Sequence, residues 1–355
     1  MRERERIREI ADSIAKLDGE RQTIAEGMRE RKIDILPDAL ERGMVHLVQP
    51  AQLNLKVAAA DGGILAQEFH GFDLLMTRAV AVMFSYENSK LASHAYHPSA
   101  LPESEMEVTY TMDTHEFNRF KSLFRLKKEI QTALEGCERF SPDYMLLDGS
   151  IVPQISDKPG PGEEEPRKLY DEIIAIYSKL YSTCEAKGTR LVGVIKDSRG
   201  RRFIEILEKM LVEGERETLR RSSDTSFLSF MLKENERTAS FTYSTSAKEH
   251  VVLRDLKDWG SKIAAFYVKP VTDDRPLRIE FLLSPPSVSA DEIAATICTL
   301  SKINKKYAYP AALIEADLRA AMDPNDLDRA YKDLFVRTGL RSAMMKLRRD
   351  SRPFR

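Results

Sequence analysis

Cysteine is scarce in this chain, tryptophan is nearly absent, and there is no net charge to speak of. Each shortage excludes something. The three cysteines, Cys137, Cys184 and Cys298, are far apart and odd in number, so they form neither a disulfide framework nor a metal-ligand cluster, and a reducing, cytoplasmic setting is expected. No apolar run reaches the roughly 18 residues of a membrane-spanning helix. The opening Met1-Arg2-Glu3-Arg4-Glu5-Arg6 is too charged to lead a signal peptide. The six histidines show no metal spacing, and neither a G-x-x-x-x-G-K-[ST] loop, a G-x-G-x-x-G, an H-E-x-x-H nor a G-x-S-x-G occurs. A nucleotide-driven motor and a Rossmann enzyme are therefore excluded, and nothing supports a zinc protease or a serine hydrolase. With a formal net charge of -1, any surface for nucleic acid must be a local patch or channel. What remains is a chain of 355 residues, 42% hydrophobic and 31% charged, long enough for a large core under a heavily charged surface.

Carboxylates are what is present. Two apolar runs each end in Asp-Gly: Val57-Ala58-Ala59-Ala60-Asp61-Gly62 and Tyr144-Met145-Leu146-Leu147-Asp148-Gly149. An acid directly after a buried strand sits at the edge of a sheet, although Asp-Gly is equally a favoured turn. The periodicity predicts a helix over 1–45, which is either a solvated helix packed on the body or an arm for a partner. It predicts strands over 53–60 and 64–69 joined by a turn at 61–63, and further strands over 73–85 and 105–112. A helix over 114–137 carries Phe117, Phe120, Phe124, Ile130 and Leu134 on its apolar side. After the strand 144–147 and a Pro/Gly loop come a helix over 167–186, a strand from 190, a charged helical stretch over 202–221, strands over 239–244, 262–268 and 277–283, and C-terminal helices from 291, 311 and 324. This is mixed α/β around one sheet. The expected division is a helical arm over 1–45, a body over 46–335 and a basic segment over 336–355.

Further acids fall at telling places. Glu129 borders the apolar side of the helix before the second Asp-Gly strand, either as a solvated flank or reaching over the sheet edge. Glu135 is its rival on the same helix, with Glu107 behind it. Asp317 lies beside Leu313, Ala316 and Ala320, again as a flank or a ligand. Lys196 and Asp197 follow a buried strand, where the lysine suits a phosphate. Basic clusters occur at Arg199, Arg201 and Arg202, at Arg216, Arg220 and Arg221, and at the C-terminus, where contact with DNA and a simple solvated tail stand as equal readings. Converging carboxylates with a lysine suit metal-assisted phosphodiester cleavage, in which paired ions lie about 3.5–4 Å apart and hard cations take oxygen ligands.

Taken in order, these segments resemble the NurA nuclease family. Val57-Ala58-Ala59-Ala60-Asp61-Gly62-Gly63 is similar to its first strand motif, Glu129-Ile130-Gln131-Thr132-Ala133-Leu134 to its acidic helix, and Leu146-Leu147-Asp148-Gly149-Ser150 to its L-L-D-G-S signature. Gly193-Val194-Ile195-Lys196-Asp197-Ser198 resembles its G-V-x-K-D-S strand, and the segment from Tyr309-Pro310 to Asp317 resembles its Y-P-x-x-L-x-x-A-H stretch. The resemblance runs from about residue 53 to 320. It implies an RNase H-like core with N- and C-terminal helical extensions, and Asp61, Glu129 and Asp148 as metal ligands with Lys196 and Tyr309 lining the site. It further implies Mn²⁺ or Mg²⁺, in two-ion form. The implied activity is 5'-3' exonuclease and single-strand endonuclease action on DNA in end resection for double-strand break repair. The implied partners are a second copy of the chain and a HerA-type hexameric ATPase. The departure is Asp317, where the family usually has His. A carboxylate there can still ligate a hard metal, which keeps Asp317 among the candidate ligands, or the change marks a catalytically weak adaptor for DNA or the ATPase; a third reading is an RNase H-like nuclease of another type, acting on RNA or hybrids.

Overall fold

The helix expected over 1–45 stops early. α1 spans Arg2–Glu30, and the short strand β1 (Val45–Leu47) follows a loop. The structure, a computed structural model, describes residues 2–31, 33–110, 112–283, 289–339 and 341–348. The apolar stripe of α1 divides along its length: Ile24, Ala25 and Met28 are buried, whereas Ile7, Ile10 and Ile14 are exposed. Packing is thus confined to its C-terminal part.

The main departure falls at the first Asp-Gly. There is no turn at 61–63; β2 (Leu55–Glu68) runs straight through, paired antiparallel along its whole length with β3 (Asp73–Glu87). Local turn preference yields to the long ladder. The two glycines serve close approach instead. A Cβ on Gly62 would lie 3.1 Å from Cβ of Glu129, and one on Gly63 would lie 2.3 Å from the carbonyl oxygen of Ala320. The chain reverses later, where the N–H of Phe69 donates to the carbonyl of Phe72 at 2.9 Å. β4 (Lys90–His97) pairs the far side of β3. It carries no apolar alternation because its first five residues are exposed. β5 (Glu105–Thr109) also pairs β3.

α2 (Thr114–Phe140) starts at Asp113, whose carboxylate accepts from the N–H groups of His115 and Glu116, a cap that fixes its first turn. β6 (Tyr144–Asp148) ends at the second Asp-Gly, and here the chain does leave the strand, with Gly149 at φ +126°. α3 (Glu164–Lys187) and β7 (Arg190–Ile195) match expectation closely. The helical stretch over 202–221 is instead two helices, α4 (Arg202–Leu207) and α5 (Glu213–Arg220), parted by a 3₁₀ turn. After α6 (Asp224–Met231), the strand expected over 239–244 resolves into β8 (Glu236–Thr238) and β9 (Phe241–Thr242). β10 (Ile263–Lys269), β11 (Leu277–Leu282), α7 (Ala290–Ser301), α8 (Ala311–Ala320) and α9 (Pro324–Thr338) complete the chain.

These elements form two compact units. The first comprises Met1–Leu53, Val192–His250 and Gly260–Ala311. Its antiparallel ladder runs β1-β8-β10-β11-β7, with β9 on β10, over a core that includes Ile24, Met28, Phe203, Phe227 and Tyr267. The second comprises Asn54–Leu191, Val251–Trp259 and Ala312–Arg355. Its ladder runs β6-β2-β3-β4 and is mixed, because β6 is parallel to β2 while the other pairs are antiparallel. α2 packs across β2 and β3, and α3 packs on α2. Both units are therefore sheets flanked by helices, the mixed α/β class expected. Among the described residues no helix is long and apolar enough to cross a membrane.

Candidate metal centre

The second unit brings three acids together. In the parallel pairing, Ala60 lies opposite Leu147, so one residue further on Asp61 and Asp148 fall side by side, one within β2 and the other at the end of β6. Asp317 arrives from a different direction, on α8. That helix is seated on the β2–β3 hairpin by its last carbonyls. Nε of Arg78 donates to the carbonyl of Ala320 at 3.2 Å, and its guanidinium also donates to that of Ala321. The bare backbone of Gly63 admits Ala320, while Oγ1 of Thr77 donates to the Gly63 carbonyl at 2.8 Å. Glu315, two residues before Asp317, accepts from the Tyr96 hydroxyl and from Arg319, each at 2.8 Å. The outcome is that one carboxylate oxygen each from Asp61, Asp148 and Asp317 lies within 4.8 Å of the others. Asp61 is buried, Asp148 half-buried and Asp317 exposed, so the group opens from the core towards solvent.

The electrostatics are those of an anionic site that the nearby Arg125 compensates only in part. Burial pushes the Asp61 carboxyl up to about 7; the neighbouring charges of Asp148 and Asp317 add to this, against a 2.7 Å hydrogen bond from the Gly62 N–H. Glu129 on α2 is 3% exposed, and burial pushes it up to about 8, against the pull of the Arg125 guanidinium. Its carboxylate is not one of the three that converge. It accepts from Nη1 of Arg125 one helical turn earlier, and the same Nη1 donates to the Gly62 carbonyl at 3.3 Å. The rival acids are engaged elsewhere: Glu135 with His97 at 2.8 Å, while Glu107 is exposed on β5. Three carboxylates, all oxygen donors and crowded against burial, suit a hard divalent cation: such an ion would relieve the repulsion that lifts Asp61.

Lys196 and Tyr309 lie together in the first unit. Nζ of Lys196 is 4.3 Å from the centroid of the Tyr309 ring, and the Tyr309 hydroxyl, itself buried, donates to the carbonyl of Val194 at 2.9 Å. Asp197 pairs with Arg275 at 2.6 Å. The basic cluster near residue 200 is largely used internally. Arg201 donates to the carbonyls of Leu219, Arg220 and Ser222, and Arg202 pairs with Asp38 at 2.6 Å. Phe117 and Phe120 are core. Of the C-terminal basic residues, Arg349, Arg352 and Arg355 lie outside the described residues. Two residues that shape the centre escaped the sequence reading, Arg125 and Arg78. The i, i+4 spacing of Arg125 to Glu129 was the available signal for the first; nothing local marks the second.

A mixed α/β fold in which carboxylates from within β2, from the end of β6 and from α8 converge defines a class, that of candidate hard-metal hydrolases. The particular family follows from comparison. The NurA domain matches residues 55–322, and the chain belongs to the NurA family. Among solved structures, the NurA nuclease from Sulfolobus solfataricus is similar at 17% identity, covering 93% of this chain and 98% of that one with a TM-score of 0.57. A NurA with manganese matches at 11% identity, 96% and 99% coverage and a TM-score of 0.55. A NurA bound to dAMP and manganese matches at 9% identity, 84% and 92% coverage and 0.54. At these identities the likeness establishes the fold. No curated protein matches the chain.

Proposed function

We propose that this protein is a divalent-metal-dependent nuclease that hydrolyses phosphodiester bonds of DNA. The observation that carries the proposal is the convergence of Asp61, Asp148 and Asp317 from β2, β6 and α8 within 4.8 Å, an arrangement with no structural purpose of its own, since like charges brought together in a partly buried place oppose folding. Mn²⁺ or Mg²⁺ bound there, as two ions, would supply a more acidic water and polarisation of the phosphate. The chain's own residues do the rest. Asp61 on β2, Asp148 at the end of β6 and Asp317 on α8 would hold the metal through their ionised carboxylates. Glu129, a further ligand by the family resemblance, stands next to Gly62 and in contact with Arg125. By the family resemblance of their motifs, Lys196 is assigned to the phosphate and Tyr309 to the lining of the site.

The finer assignments follow the family: an RNase H-like core, 5'-3' exonuclease and single-strand endonuclease action, a homodimer, and work in DNA end resection in the cytoplasm beside a HerA-type hexameric ATPase. The absence of a nucleotide-binding motif supports an external motor, and three buried free thiols support a reducing compartment. Cleavage of labelled single- and double-stranded DNA with Mn²⁺ tests the proposal, with Asp61→Ala, Asp148→Ala and Asp317→Ala run alongside. Wild type should cut and each variant should lose at least about 100-fold, as when an essential site group is removed. A wild type inert on DNA, or variants as active as wild type, would reject it; cutting of RNA or hybrids in preference to DNA would move the substrate class.

A further inference from the structure

We propose that Arg125 is a catalytic residue of this centre, the cation that meets the phosphate of the nucleic acid; the inference rests on the nuclease reading above. Arg125 differs from an ordinary helix-surface ion pair. Its partner Glu129 is almost completely buried, with a side chain 4% exposed, while the Arg125 side chain is 34% exposed, so the guanidinium bridges the interior and the solvent. Nη1 alone makes both internal bonds, to the Glu129 carboxylate and to the carbonyl of Gly62, the residue after Asp61. Nε and Nη2 have no hydrogen-bond partner among the described residues, and neither is among the buried polar atoms left without one. The other edge of the guanidinium fork therefore faces water within the field of Asp61. A planar pair of donors, locked in place by its third nitrogen, is the geometry that takes two oxygens of a phosphate.

Charge balance gives the arrangement a purpose. Asp61, Asp148, Asp317 and Glu129 carry four negative charges when ionised, which two divalent ions would only cancel. The phosphodiester brings a further negative charge. As the water oxygen bonds to phosphorus and sheds a proton, the ester P–O bond breaks and its electron pair leaves on the sugar oxygen, which takes up that proton. Negative charge grows on the non-bridging oxygens during that exchange, and a fixed guanidinium beside them stabilises it without having to reorganise. Glu129, whatever its share in holding metal, also positions Arg125 against β2.

The test compares wild type with Arg125→Met and Arg125→Lys in the full chain. Three quantities are measured: binding of Mn²⁺ alone by electron paramagnetic resonance, kcat and KM on single-stranded DNA, and thermal melting. Removing one electrostatic stabiliser of this kind costs about 100-fold in kcat. That loss is expected for R125M with Mn²⁺ affinity held within a few-fold, and R125K should recover part of kcat. R125M with wild-type kcat and KM overturns the proposal while leaving the nuclease reading intact. So does R125M that loses Mn²⁺ binding as fully as Asp61→Asn, which would make Arg125 a builder of the metal site only. Should R125M fail to fold, R125K decides: it must lower kcat against wild type, and unchanged kinetics reject the role. A wild type inert on every nucleic acid overturns both readings together.

Discussion

At the scale of single residues, the sequence marks the acids but not what answers them. Asp61 and Asp148 stand out because each follows an apolar run and precedes a glycine. Arg125 does not, because an Arg four residues before a Glu looks like any exposed helix pair until burial of one partner is known. The same holds away from the metal centre. Arg237 is fully buried and pairs with Glu41 at 2.6 Å and Asp291 at 2.6 Å, yet nothing in the sequence around it announces a buried charge. Burial pulls the Glu41 carboxyl up, but hydrogen bonds from Arg237 and from the Ser240 N–H outweigh it and bring the group down to about 2. A carboxyl lowered on folding stabilises the protein above its unfolded range near 4.5 and loses that contribution as pH falls towards 2. Glu41→Gln should therefore cost about 1–3 kcal/mol at pH 7, as for a charged hydrogen bond. The gap to wild type should shrink as pH falls from 4.5 towards 2, read by urea unfolding at both ends of that range. An equal gap at both pH values would contradict the assignment.

Elements were legible wherever one face is buried and the other wet. α2 and α3 carry clear periodicity and fall where it predicts, while β7 shows as a short apolar run buried on both faces. β2 misleads because its glycines answer demands that lie far along the chain, Gly62 to Glu129 at 67 positions and Gly63 to Ala320 at 257, and no local pattern encodes such contacts. β4 is missed because a largely exposed strand has no apolar alternation to show. The seat of α8 on β2 also predicts a phenotype. In Gly63→Ala the new Cβ meets a backbone carbonyl at 2.3 Å, a contact that flexible side chains cannot relieve, so α8 and Asp317 must shift outward. The variant should fold with its α2–β2–β3 core intact but bind Mn²⁺ as weakly as Asp317→Ala. Arg78→Ala, which removes the second tether, should weaken binding in the same direction by less. Wild-type Mn²⁺ affinity in G63A would show that α8 is not what places Asp317.

For the whole molecule, composition gives the balance of charge and the fold shows how it is spent. The net charge is -1, and many of the arginines that suggested a nucleic-acid surface are committed inside their own unit. Arg202 pairs with Asp38, Arg201 donates to three backbone carbonyls and Arg216 to the carbonyl of Glu208; outside those clusters Arg29 pairs with Glu236 and Arg31 with Glu215. A protein that grips DNA by neutralising many phosphates loses affinity steeply with salt, because each contact releases counterions. With the net charge near zero and part of the basic clusters spent internally, the proposed hold on DNA leans on a divalent ion at Asp61, Asp148 and Asp317 and on fixed groups such as Arg125. Binding to single-stranded DNA should therefore respond weakly to monovalent salt, with a slope of log K against log salt of about -1 to -3, where about 0.7 is expected per phosphate on a single strand. The same binding should collapse on chelation of the divalent ion. The measurement is fluorescence anisotropy of labelled DNA with Ca²⁺, a hard cation that takes the same oxygen ligands, across a salt series and then with chelator. A steep slope that survives the chelator would mean that a broad cationic surface, rather than the acidic centre, holds the strand.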